Sequence, residues 1–154
     1  MNREESIAFA KKYVEDVVSF FGANLDVLAS VEDDVIQLSV PNTYLSNLLI
    51  GRNGETLRSL QTLTRSSLIA KDAELTRVNL DIADYKKRHN DKLETEVEGY
   101  AKQVRETGEE MSLRPMNPAE RFVVHKVLAD YSDLSTESDG EGRERHIVLR
   151  KKED

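Results

Sequence analysis

The sequence predicts an α+β protein built from two small units joined by a long helix. Three observations carry that expectation. Apolar residues recur at helical spacing in several separated stretches, and the segments between those stretches alternate apolar and polar side chains at strand spacing. Near residue 83 the short elements give way to a long charged helix, so the organisation changes there. The first unit, 1–82, reads as αββααβ, and the second, 83–154, reads as the linking helix followed by a small α/β unit.

Residues 6–21 form the first expected helix, because Ile7, Ala10, Tyr13 or Val14, Val17, Val18 and Phe21 fall on one face and Gly22 follows as a stop. Two β-rich runs come next, Leu25 to Ser30 and Val35 to Val40, around the acidic turn Glu32-Asp33-Asp34. Pro41 has no amide hydrogen for a ladder and ends the second strand. Asn42 or Thr43 then caps a short helix through Tyr44, Leu45, Leu48 and Leu49, which Gly51 breaks. A longer helix resumes after Gly54 with Leu57, Leu60, Leu63, Thr64, Leu68 and Ile69 on one face, and Val78 to Ile82 alternates as a third strand.

In the second unit Tyr85, His89, Leu93, Val97, Tyr100, Ala101 and Val104 mark one stripe of a helix that ends near Gly108. Asn117 is placed to cap a further helix with Pro118 at its first position, running to about Tyr131. Leu134 to Glu137 and His146 to Arg150, around the glycine-rich Asp139-Gly140-Glu141-Gly142, read as a hairpin with an open loop.

Composition bounds the chemistry. The 154 residues contain no cysteine, which excludes disulfides and thiolate chemistry, and no apolar run reaches the roughly 18 residues of a membrane span. A polar, acidic beginning carries no secretion signal, so no membrane insertion and a cytoplasmic location are the expectation. The net charge of −7 is unevenly spread: residues 1–40 carry 3 basic and 8 acidic side chains, 41–89 carry 8 and 5, and 90–154 carry 11 and 16. The only net-positive third contains the Gly51–Gly54 loop. Acidic surface more than a Debye length away, about 8 Å at physiological salt, does not prevent that patch from holding an anion.

The tetrapeptide Gly51-Arg52-Asn53-Gly54 lies between two apolar helices. A glycine at each end allows positive φ and removes the Cβ that would hold a phosphate away, and the amides at the start of the next helix favour an anion. Arg52 adds a charged donor, Asn53 a neutral one, and Arg58 is one turn into the helix, within reach of the same backbone; Ile50 is expected to supply an apolar floor for bases. A second pair, Arg121 and His125, is four residues apart and thus roughly 40° apart on a helix, on the side opposite Val123 and Val127 and so expected to point away from the core. A guanidinium beside an imidazole is a compact phosphate site.

Gly51-Arg52-Asn53-Gly54 between helices, after two strands and before a third, resembles the KH domain of type II, whose Gly-x-x-Gly loop clamps about four backbone nucleotides. Met116-Asn117-Pro118-Ala119-Glu120-Arg121-Phe122-Val123-Val124-His125, followed by Ser138 to Arg145, resembles an R3H domain, associated with single-stranded nucleic acid. KH followed by R3H is similar to the Jag family of bacteria, also called the KhpB or SpoIIIJ-associated family. That resemblance implies a regulator of cell elongation or division binding single-stranded RNA, with single-stranded DNA left open. It implies first contacts at Gly51, Arg52, Asn53 and Gly54, second contacts at Arg121 and His125, and auxiliary phosphate contacts at Lys126, Arg143 and Arg145. It also implies a small single-KH protein, KhpA-like, as a partner. Phe122 stands where such sequences often carry a basic residue, and the family's usual N-terminal Jag domain and linker are not among these residues.

Neither an enzyme nor a metal or cofactor site is expected. The three histidines fall on separate elements, no His/Asp/Glu set has recognisable ligand spacing, and Glu94, Glu96 and Glu98 read as a solvated helix face. Lys86-Lys87-Arg88-His89 reads as a basic start to the linking helix. The alternative function is a protein-interaction module, because KH folds pair through exposed strands or helices.

Overall fold

A computed structural model describes residues 1–153 and divides them into two compact units, Met1–Lys86 and a second from Lys87 onward. The boundary falls inside the first turn of the long helix, a few residues beyond the position expected from the sequence.

The first unit has the order α1 (Arg3–Phe20), β1 (Leu28–Glu32), β2 (Val35–Val40), α2 (Ser46–Ile50), α3 (Glu55–Ala70) and β3 (Val78–Ile82), with one 3₁₀ turn at Arg52–Gly54. Helix α1 starts three residues earlier than its apolar stripe suggests, because Asn2 and Glu5 form a capping box: Asn2 Oδ1 accepts from Glu5 N–H at 2.9 Å and Glu5 Oε2 accepts from Asn2 N–H at 2.8 Å. Its buried face is Ser6, Ala10, Val14 and Val18, and Phe21 stands outside it, exposed at the C-cap. The first strand runs over Leu28–Glu32 rather than Leu25–Ser30, since Asp33 and Asp34 alone make the turn, both with positive φ as a tight two-residue hairpin turn requires. Arg3 Nη1 holds Asp34 Oδ1 at 2.7 Å and Arg77 Nη2 donates to the Asp33 carbonyl at 3.0 Å.

Strand β2 pairs antiparallel with β1 and parallel with β3, and α2 and α3 form the crossover between them. Ile36, Leu38, Val40, Val78, Leu80 and Ile82 share the face on which Val14, Val18, Leu57, Leu60 and Leu68 close the core. The other face is polar. Asn79 Nδ2 donates to Gln37 Oε1 at 2.7 Å, and Lys86 Nζ donates to Asn79 Oδ1 and, at 3.2 Å, to Gln61 Oε1. Burial holds the Lys86 ammonium below its ordinary range, against the opposing pull of Asp81. Neither Asn42 nor Thr43 is the N-cap of α2, whose first residue is Ser46. Their groups instead converge on that serine, Thr43 N–H donating to its Oγ and its hydroxyl donating to Asn42 Oδ1, each at 2.9 Å. Leu63 and Ile69, expected on the inner face of α3, are each 54% exposed; the buried stripe is Leu57, Leu60, Thr64 and Leu68.

The second unit continues α4 (Tyr85–Thr107), then β4 (Met111–Ser112), α5 (Pro118–Leu128), β5 (Leu134–Asp139), a 3₁₀ turn at Gly142–Glu144 and β6 (His146–Lys151). The sheet order is β4-β6-β5, all antiparallel. The two-residue strand β4 has no sequence signature and was not foreseen. Leu93, Val97, Ala101 and Val104 of α4, Val124 and Leu128 of α5, and Leu134, Ile147 and Leu149 of the sheet make one core. Helix α5 ends at Leu128, short of Tyr131. Among the described residues no helix is long and apolar enough to cross a membrane.

Candidate functional site

The Gly51–Gly54 loop owes its shape to two backbone settings that side chains resist. Gly51 has φ 73° and ψ −179°, a region reserved for glycine, and a Cβ there would lie 2.2 Å from Thr56 Oγ1 and 2.9 Å from the Thr56 amide nitrogen. The missing side chain therefore lets the loop pack closely against Thr56 in the first turn of α3. Gly54 is left-handed at φ 75° and ψ 16°, and its Cβ would meet the Tyr85 ring at 2.9 Å and Arg58 Nη1 at 3.2 Å. No side chain caps α3, and Asn53 between the glycines is also left-handed at φ 53°.

Arg52 and Asn53 are exposed, and Arg52 makes no hydrogen bond or ion pair among the described residues. Arg58 is turned onto the loop itself, its Nη1 donating to the Asn53 carbonyl at 2.7 Å, so it braces the turn. Ile50 is only 5% exposed and belongs to the first core. This corrects the expectation of an apolar floor: the residue supports the loop from beneath and presents no surface. Glu55 is exposed in the first turn of α3.

In the second unit Asn117 and Pro118 start α5 through another capping box, Asn117 Oδ1 accepting from Glu120 N–H at 2.8 Å and Glu120 Oε1 from Asn117 N–H at 3.2 Å. Arg121 and His125 do not point away from the core. The buried stripe of α5 is Glu120, Val124 and Leu128 rather than Val123 and Val127, and this brings the pair onto the shoulder facing β5. His125 Nδ1 lies 2.7 Å from Thr136 Oγ1 and Nε2 lies 3.3 Å from Ser138 Oγ. Arg121, one turn earlier, has a buried Nε with no hydrogen-bond partner.

The predicted auxiliary residues divide. Lys126 is exposed and lines a separate shallow hollow with Glu94, Glu98, Arg105 and Asp130. Arg145 is partly buried and pins the β5–β6 loop, its Nη1 donating to the Gly140 carbonyl at 2.8 Å. Arg143 is exposed on the 3₁₀ turn and makes no hydrogen bond or ion pair among the described residues. Sequence reasoning missed Thr136 and Ser138, although their period-two placement after Leu134 was a signal that both face the helix. It also missed Glu120, for which the Asn117-x-x-Glu120 spacing was the signal.

Burial, with the charge of Arg121 second, holds the His125 imidazole below its ordinary range. The imidazole is thus kept neutral in the fold while the unfolded chain takes up its proton near about pH 6.5. The unfolded state then binds more protons, so this contribution to stability is complete above that pH and is lost as the pH falls toward the folded value. In urea denaturation from about pH 8 to about pH 5, His125→Asn is expected to flatten the acid-side decline seen in the parent.

Residues 91–151 match the R3H domain. Over 102 residues the chain is 38% identical to a protein of Clostridium symbiosum named RNA-binding protein KhpB, covering 66% of this chain and 46% of that protein. A protein of the same name from Bacillus subtilis is 29% identical over 150 residues, 96% of this chain and 72% of the relative. A third, from Lactiplantibacillus plantarum, is 31% identical over 137 residues, 89% of this chain and 42% of the relative. The chain thus spans under half the length of two of these relatives and about three quarters of the other. The second unit thus matches the R3H domain, and along both units the chain is similar to proteins named RNA-binding protein KhpB.

Proposed function

We propose that the chain is a single-strand RNA-binding regulator in which the first unit acts as a KH type II module and the Gly51–Gly54 loop clamps the RNA backbone. The observation that carries this reading is the start of α3, which no side chain caps because its N-cap is Gly54, with the unpaired Arg52 beside it. A phosphate needs both amide donors and a cation, and no side chain of the fold caps the first or pairs with the second. The names of the relatives support the choice of RNA. Arg121 and His125 form the second contact. The buried Arg121 Nε has no protein acceptor, so that N–H is not tied to another residue of the fold. Arg143 is the auxiliary cation best placed to help, while Arg58 and Arg145 hold their loops. Regulation of cell elongation or division is the cellular role this reading carries.

Fluorescence anisotropy with short single-stranded and duplex RNA tests it. Single-stranded RNA is expected to bind more tightly than duplex and to weaken as salt rises, and Gly54→Asp is expected to weaken binding about ten-fold or more by placing a carboxylate at the clamp. Absence of binding by the parent protein at low salt would refute the reading.

A second reading is favoured by a specific observation. Leu63 and Ile69 are exposed on α3 and Leu28 at the free edge of β1, apolar surface available to a protein partner such as a small KhpA-like KH protein. A complex with such a protein that forms without RNA, together with failure of the anisotropy test, would favour it.

A further inference from the structure

Phe122 is the only large hydrophobic side chain among the described residues of the second unit that stands exposed, at 67%. Its place on α5 explains why. At about 100° per residue it lies roughly 160° round the helix from the middle of the buried stripe Glu120, Val124 and Leu128, so no rotamer takes the ring into the core. The same arithmetic sets its neighbours. His125 lies about 60° away and one turn on, Lys126 about 40° away and one turn on, and Arg121 about 100° to one side.

The ring therefore stands on the solvent side of the Arg121–His125 pair, with Lys126 on its far flank. Lys126 is exposed on that flank. The only apolar neighbours within one turn on the same side are the small, exposed Pro118 and Ala119. That is far less than the several hundred Å² of contiguous apolar surface a protein-docking patch presents. A single aromatic face with cations on both sides has instead the composition of a platform for single-stranded nucleic acid, in which rings stack on bases and cations track the backbone.

We propose that Phe122 is a stacking platform for one unpaired base, with Arg121 and His125 taking the phosphate on one side of that base and Lys126 the phosphate on the other. The proposal rests on the RNA-binding reading and gives the second unit a reason to prefer single strands. In a duplex each base is covered by its neighbours and its face is not available. A lysine or arginine at this position would add a phosphate contact that single and double strands satisfy equally. Phenylalanine exchanges that contact for one that only an unpaired base can make.

The protein contains no tryptophan, so Phe122→Trp installs a single indole reporter at the site. The variant of this 154-residue chain would be titrated with a single-stranded RNA oligonucleotide, an abasic oligomer of the same length and charge, and a duplex, following tryptophan emission and anisotropy together. Expected are strong quenching by the single strand and little by the abasic oligomer or the duplex. Phe122→Ala should lose about ten-fold in affinity for the single strand, within the roughly five- to hundred-fold range of one base on one ring, with the salt dependence unchanged. Phe122→Lys should recover affinity at low salt with a steeper salt dependence and a smaller preference for single strands.

Saturable binding by anisotropy with unchanged tryptophan emission, or unaltered affinity of Phe122→Ala, would overturn the stacking role while leaving the RNA reading intact. No binding of the parent protein to RNA at all would overturn both.

Discussion

Gly51→Ala is expected to destabilise the first unit by about 2–4 kcal/mol, combining a backbone setting that only glycine adopts comfortably with a Cβ that has no space. The clash is with the Thr56 backbone nitrogen as well as its side chain, at 2.9 Å and 2.2 Å, so a rotamer change at Thr56 cannot remove it. Relief requires the start of α3 to move, and the proposed clamp moves with it. Gly54 differs. Its left-handed setting is one that asparagine and aspartate tolerate, and its nearest obstacles are side-chain ends, the Tyr85 ring edge and the Arg58 guanidinium, with no backbone atom among them. Gly54→Asp should therefore remain folded, at a cost of about 1 kcal/mol, while weakening the proposed contact with RNA. Urea denaturation combined with hydrogen exchange at β2 and β3 separates the two variants. Equal stability loss in both would show that the loop geometry, and the phosphate site built on it, has been misread.

The second large effect is expected at Glu120. Its carboxylate is 9% exposed, caps α5 through the Asn117 amide, and through Oε2 meets His89 Nε2 at 3.2 Å and Arg114 Nη1 at 3.3 Å. Glu120→Ala removes the cap partner and leaves a half-buried histidine and a guanidinium without that acceptor, for which about 2–3 kcal/mol is expected. For a unit of this size that corresponds to a fall in melting temperature of roughly 10 °C or more. Glu120→Gln keeps the capping oxygen and should lose less than half as much, and Asn117→Ala should cost about 1 kcal/mol. If Glu120→Gln proved as damaging as Glu120→Ala, the charge rather than the cap would be what holds the helix start.

Most of the first unit was legible because its elements have clean periods. Strands β2 and β3 alternate over Val35 to Val40 and Val78 to Ile82 and pair in register, so their buried sides follow from parity alone. The order αββααβ and the position of the glycine loop followed from the same pattern. Helix ends were less legible where the cap lies outside the apolar stripe, as at Asn2, and a two-residue strand such as β4 has too few residues for any period.

The sequence offered candidate residues for a site in the second unit but not their orientation. Helix α5 carries Phe122, Val123, Val124, Val127 and Leu128, apolar over most of its circumference, and periodicity cannot choose a face from such a run. The contact of His125 with Thr136 and Ser138 joins residues on different elements, which spacing along one helix does not encode. Ile50 was misread for a related reason, since a residue next to an exposed loop is not itself exposed.

That ambiguity belongs to the molecule as well as to its sequence. Turning α5 by roughly 80° would bury Val123 and Val127 in place of Val124 and Leu128, a competing arrangement of nearly equal apolar content. Hydrophobic burial alone opens little energy gap between the two. Glu120 breaks the near-degeneracy, because only in the observed rotation does its carboxylate, directed inward, meet its own cap, His89 and Arg114 together. A polar side chain in the buried stripe thereby acts as a key that admits one rotational setting, and in that setting His125 reaches β5 while Phe122 faces water.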